Sequence, residues 1–288
     1  MQNIDLALES RELHAGLDGV ETVTEERGGA AVTTIRVLTG EAARTLGKPA
    51  GTYVTVELEN EPYDDESLLS SARILAEQLQ KMLPEQGNLL FCGLGNRSVT
   101  PDSLGPLTAG RVLATRHLSG HEPSLAHLRP VSVIFPGVLA QTGMESAEIL
   151  CGLVRQIRPE AVVTVDALAA RRLSRLARTV QICDTGIAPG SGVGNQRSAI
   201  NRELLGCKVI SVGVPLVVDS TTLCCDLLDD EPALRSRLER RAAERPPLIV
   251  THTDIDRTVE ALSGLLALAF NIAAQPSLSA EELLAITG

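Results

Sequence analysis

The chain has 288 residues, enough for one large or two modest domains. Apolar residues make up 44% of it but aromatics only 2%, so its core must be aliphatic, as suits helices packed on a parallel sheet. A net charge of −10 argues against a surface for the phosphate backbone, and no direct nucleic-acid partner is expected.

The first 27 residues are polar and acidic, with a short amphipathic piece at Leu6, Leu8 and Leu13. Asp5 and Glu9 there fit no basic-plus-apolar secretory leader. Residues 30–38 and 52–58 are β-branched and partly alternating, which predicts two strands forming a small antiparallel N-terminal addition. Residues 67–83 place Leu68, Leu69, Ala72, Leu75, Ala76, Leu79 and Leu83 on one face, the pattern of an amphipathic helix.

The stretch 89–118 organises the rest. Leu89-Leu90-Phe91-Cys92 reads as a buried strand, Gly93 and Gly95 break it, and Asn96 marks a turn. A polar loop then carries Asp102 to Gly105-Pro106, and a loosely spaced helix is expected from Leu107 to Leu118. Further strands are expected at 131–135, 161–165, 179–183, 208–212 and 248–251. Helices are expected at 144–158, 168–177 and 254–274. Strands alternating with helices argue for a three-layer α/β fold around a mostly parallel sheet. No charge-free apolar run reaches about 18 residues, so no membrane span is expected. Six cysteines without CxxC spacing read as reduced, buried thiols of a cytoplasmic protein.

Three strands lead to an aspartate: Asp102, Asp166 and Asp184. Carboxylates gathered at a sheet edge repel one another, so one can hold a proton while another stays ionised. That is what acid–base hydrolysis of an amide by water requires, although the same cluster could bind a divalent cation. The simpler alternative is that Asp102 and Asp166 cap the helices that follow them. His117 is expected at a helix C-terminus, interacting with its dipole. The loop 190–195, GSGVGN, matches neither the P-loop nor the dinucleotide pattern, and Ser191 lies in no nucleophile elbow. Arg171, Arg172, Arg175 and Arg178 are expected on one helix as a solvated face or subunit salt bridges.

The motifs GLGNRSVTPDSLGP (93–106), ATRHL (114–118), PGVLAQTGMESAEI (136–149), VDALAAR (165–171) and CDTGIAPGSGVGNQR (183–197) come in the order of the germination protease family. GKPAGTYVTVEL (47–58) and GVPLVVDS (213–220) also fit, so the chain resembles that family over nearly its whole length. The resemblance implies a phosphorylase/hydrolase-like fold related to hydrogenase-maturation endopeptidases. It implies an atypical aspartic endopeptidase that cuts small acid-soluble spore proteins at germination, without cofactor or metal, in the spore core. The family's catalytic pair falls on Asp102 and Asp166, with Asn96, His117, Asp184, Gly192 and Asp219 as candidates for binding substrate or supporting the pair. The family is made as a self-processing zymogen and assembles as a homotetramer. Ile4-Asp5-Leu6-Ala7-Leu8-Glu9 has the look of a processing site, so cleavage is expected between Asp5 and Leu6, leaving residues 6–288 as one domain. The rival readings are a metal-recognising maturation-type endopeptidase and a non-enzymatic spore protein on the same fold.

Overall fold

The computed structural model describes residues 4–59, 62–118, 125–190, 197–228, 232–242 and 248–287. Its first elements are α1 (Ala7–Leu13), β1 (Val20–Arg27), β2 (Ala30–Val37), α2 (Gly40–Leu46), β3 (Gly51–Glu57) and α3 (Asp65–Met82). The middle contributes β4 (Leu89–Gly93), α4 (Leu104–Ala109), β5 (Val131–Ile134), α5 (Leu139–Thr142), α6 (Ser146–Ile157), β6 (Ala161–Ala170) and β7 (Thr179–Cys183). Then come α7 (Arg202–Leu205), β8 (Lys208–Asp219), α8 (Ser220–Leu227), α9 (Pro232–Ala242), β9 (Ile249–Val250), α10 (Ile255–Ala274) and α11 (Ala280–Thr287).

The strands form one sheet in the order β1-β2-β3-β7-β8-β6-β4-β5, with β9 pairing on β8. β5, β4, β6 and β8 run parallel. β7 runs against β8, and β3, β2 and β1 continue antiparallel from it. The parallel half and the N-terminal antiparallel addition are thus one mixed sheet flanked by helices, with β7 as the seam.

Side chains alternate between the two faces of a strand, so the register assigns each residue a side. One face carries Phe91, Val163, Val165, Ile182 and Val212 against α3, α4 and α10 in the main core. Phe91 and Phe270 meet there with ring centroids 4.8 Å apart. α10 is long and apolar enough to cross a bilayer by length and composition, yet most of it is buried in this core. Its apolar surface is therefore used within the chain. The opposite face holds two smaller clusters, one under α6 and α7 and one under α1 and α2. Between them the same face turns polar, with Thr164, Asp166, Ser211 and Gln181 all buried.

Two expected helices are corrected. Residues 168–177 are not helical: β6 continues through Ala170 because β8 pairs beside it to the end, past a bulge between Leu168 and Ala169. Pro215 is tolerated inside β8 at that bulge, where the ladder is already interrupted. Alanine and leucine favour helix locally, and pairing overrides that preference. The helix expected over 107–118 begins earlier, at Leu104, and stops at Ala109. The chain then turns to dock Thr115 on Val131, its amide donating to the Val131 carbonyl at 3.0 Å.

Because Phe270 is buried and anchors α10 on the sheet, Phe270→Ala should lower the unfolding free energy by about 3–5 kcal/mol. Urea denaturation followed by circular dichroism measures this, and a loss under about 1 kcal/mol would contradict the packing described.

Candidate active site

Asp166 lies inside β6 rather than ahead of a helix, so the capping reading fails for it. It is 4% exposed and faces the polar gap, and one carboxylate oxygen accepts from the Ala167 amide at 2.9 Å. Across the sheet Asp166 is level with Gly213 of β8, and Gly213 is level with Gln181 of β7.

Asp102 arrives from the loop after β4, ending a single 3-10 turn from Thr100 to Asp102. Three glycines bring it close. A Cβ at Gly93 would lie 2.1 Å from the Gly105 carbonyl oxygen. One at Gly105 would meet the Leu94 oxygen at 2.2 Å and the Val165 oxygen at 2.5 Å. Gly95 has φ +112°, and a Cβ there would strike the Asp102 carbonyl oxygen at 2.1 Å. The start of α4 thus sits directly on the end of β4 and on the middle of β6 at Val165, while the Asn96 amide donates to both the Asp102 carbonyl and its carboxylate at 2.9 Å.

Burial pushes the Asp102 carboxyl above its ordinary value, against the pull of the Asn96 amide and of Arg197. Asp166 is raised much further, first by burial and then by repulsion from Asp102, with Asp5 adding to it and Arg197 opposing it. The proton therefore stays on Asp166 while Asp102 ionises first. Among the described residues Arg197 is the positive group that lowers both, and sequence reasoning passed over it; its place at the end of the glycine-rich motif was the available signal. Among the described residues no three His, Cys, Asp or Glu side chains converge as a metal site.

The other predicted residues scatter. The Asn96 side chain faces away from the pair, its Oδ1 accepting from Ser98 N at 3.0 Å and from Gln141 Nε2 at 2.8 Å, which ties the loop to α5. His117 is exposed in a short 3-10 turn and ends no α-helix. Asp184 follows a strand that runs opposite to β6, so it lies toward the other edge, where it accepts from Thr52 N at 2.8 Å. Asp219 caps α8 through Thr221 N and Thr222 N, six residues beyond Gly213 along β8 and so about 20 Å from the pair's level. Gly192 and Ser191 lie outside the described residues.

Asp5 and Leu6 are both buried, at 9% and 0% exposure. The Asp5 carboxylate accepts from Ala169 N at 2.9 Å, just beyond Asp166 on β6. Glu9 accepts from the amides of Arg171 and Arg172 at 2.9–3.0 Å. The arginine run is not a helix face. Arg175 is buried and grips Glu12 through two nitrogens at 2.9 and 2.5 Å, fastening α1 to the end of β6.

Comparison with known proteins gives this site a context. The family model described as germination protease matches residues 2–231. A germination protease of Clostridium perfringens is 39% identical, with 97% of each chain covered. One from Clostridium acetobutylicum is 36% identical over 97% of each. One from Bacillus cereus is 40% identical over 78% of this chain and 65% of its own. Among solved structures, a NiFe hydrogenase maturation protease from Thermococcus kodakarensis matches with TM-score 0.38 and 18% identity, covering 67% of this chain and 97% of its own. The chain belongs to the germination protease family, a family of peptidases.

Proposed function

We propose that the chain is an aspartic-type endopeptidase that cleaves small acid-soluble spore proteins at germination, using Asp102 and Asp166 to activate water. The observation that carries this reading is a pair of carboxyl groups brought together beside the end of β4 and the middle of β6, Asp102 half-buried and Asp166 buried and held strongly toward its protonated form. Ionised Asp102 takes a proton from water as it attacks the scissile carbonyl, and Asp166 donates its proton to the departing amine. Arg197 opposes the shift at both carboxyls and favours the ionised form of Asp102. Self-processing of a zymogen between Asp5 and Leu6 belongs to the same reading, supported by the acidic–apolar–Ala pattern and by the placement of Asp5 beside β6. Assembly as a homotetramer and residence in the cytoplasm of the spore core rest on the family resemblance.

Purified wild type should cut a small acid-soluble spore protein in a digest read by mass spectrometry. Asp102→Asn and Asp166→Asn should each lose about 10²-fold or more of that rate while remaining folded. Turnover equal to wild type in either variant would remove that residue from the mechanism.

A second expectation concerns stability. Because Asp166 is raised from 3.8, the folded chain keeps a proton that the unfolded chain has released, so stability falls as pH rises above about 4 toward the folded-state value. Asp166→Asn should flatten that fall and be the more stable protein at pH 7. Urea midpoints measured from pH 4 to 8 test it, and a wild-type stability that climbs through this range more steeply than the variant's would refute the assignment.

A further inference from the structure

The carbonyl oxygen of Asp5 is held by two side chains from distant parts of the chain. Lys48 Nζ donates to it at 2.7 Å and Gln181 Nε2 at 3.2 Å. Gln181 also accepts from Ala7 N at 2.7 Å, so its amide bridges the Asp5 carbonyl and the Ala7 amide, bracketing Leu6. Lys48 is delivered by the end of α2: Gly47 adopts the left-handed conformation, φ +65°, that closes the helix and turns the next residue inward. A cavity of about 220 Å³ runs beside Asp5, bounded by Lys48, Tyr53, Leu168, Gln181 and Gly213, which is ample for a water.

Lys48 directs its ammonium at a peptide carbonyl, a neutral acceptor, while the Asp5 and Glu9 carboxylates attract it from nearby. The arrangement fits a negative charge that appears on that oxygen during reaction. Donors about 2.7–3.1 Å from a developing oxyanion are the geometry that acyl-transfer sites use.

We infer that Lys48 and Gln181 are the oxyanion-holding pair for hydrolysis of the Asp5–Leu6 bond, making Lys48 a catalytic residue of this chain. The inference rests on the two-carboxylate peptidase reading and adds to it a third charged group. Water adds to the Asp5 carbonyl carbon, forming a C–O bond as the π pair moves onto the oxygen between Lys48 and Gln181. One water proton passes to the Asp102 carboxylate. Collapse then breaks the C–N bond, and the Leu6 nitrogen leaves with the proton of Asp166. The Ala169 amide, which binds the Asp5 side chain, sets the acidic residue before the cut.

Burial lowers the Lys48 pKa, opposed by Asp5, Cys183 and Glu9, the ionisable groups that face it. The rate of self-cleavage should therefore fall on the alkaline side as Lys48 loses its proton.

The test follows the full-length chain by intact mass as residues 1–5 are lost, across pH 6 to 10, for wild type, Lys48→Met, Lys48→Arg and Asp166→Asn. Lys48→Met keeps the apolar stem and should slow the first-order trimming about 10²–10³-fold. Lys48→Arg should retain part of the rate and shift the alkaline limb to higher pH, which a merely structural lysine would not do. Wild-type trimming with an undiminished Lys48→Met rate overturns this inference and leaves the carboxylate reading intact. If wild type cleaves added spore protein but never trims at Asp5, the inference also falls alone. If it does neither, both fall.

Discussion

The site depends on backbone packed closer than side chains allow. β4, β6 and the first turn of α4 meet where Gly93 and Gly105 have no Cβ, and the Leu94 amide donates to the Val165 carbonyl at 2.8 Å across the same spot. Closing that contact draws the loop before α4 down over the sheet, and Asp102 with it, toward Asp166. Without it the two carboxylates would each find water, and neither would have reason to keep a proton. The chemistry of the pair is thus a consequence of main-chain proximity, and the side chains supply only the titrating atoms.

Holding two carboxyl groups in one partly dry place works against folding, since charge is costly to bury and like charges repel. The rest of the molecule offsets that cost with aliphatic surface. The main core joins the parallel strands to α3 and α10, while the opposite face is covered in two separate patches. The polar gap between the patches is where Asp166, Thr164, Ser211 and Gln181 collect. A sheet buried continuously on both faces would have had no room for them.

Acidic residues at the N-terminus use the far end of β6 as an anchor. β6 extends past β4, so the amide at 169 and those at 171 and 172 just after the strand are left without a strand neighbour on one side and donate to the Asp5 and Glu9 carboxylates. Arg175 then neutralises Glu12 and lies 3.7 Å from Glu9. The result places residues 4–6 in the gap that the carboxylates face, with Leu6 wholly enclosed. Removing a segment held this way would uncover Lys48 and the neighbouring cavity together.

Much of this was legible in the chain itself, because strands and turns are coded locally. Apolar runs at Leu89 and Ala161, the glycine break after Cys92, and the aspartates beyond them follow from periodicity and from the conformations only glycine adopts. The position of Asp102 beyond the end of β4, the amphipathic α3 and the apolar α10 follow in the same way, whereas Asp166, expected at a strand end, lies inside β6. What tertiary structure decided are the contacts between segments far apart in sequence. β6 became longer than its propensity because β8 lay beside it. Asp184 was set apart because β7 runs antiparallel, a direction no local pattern encodes. Lys48 meets Asp5 across 43 residues and Gln181 meets Ala7 across 174, and such pairings exist only once the sheet has ordered its strands.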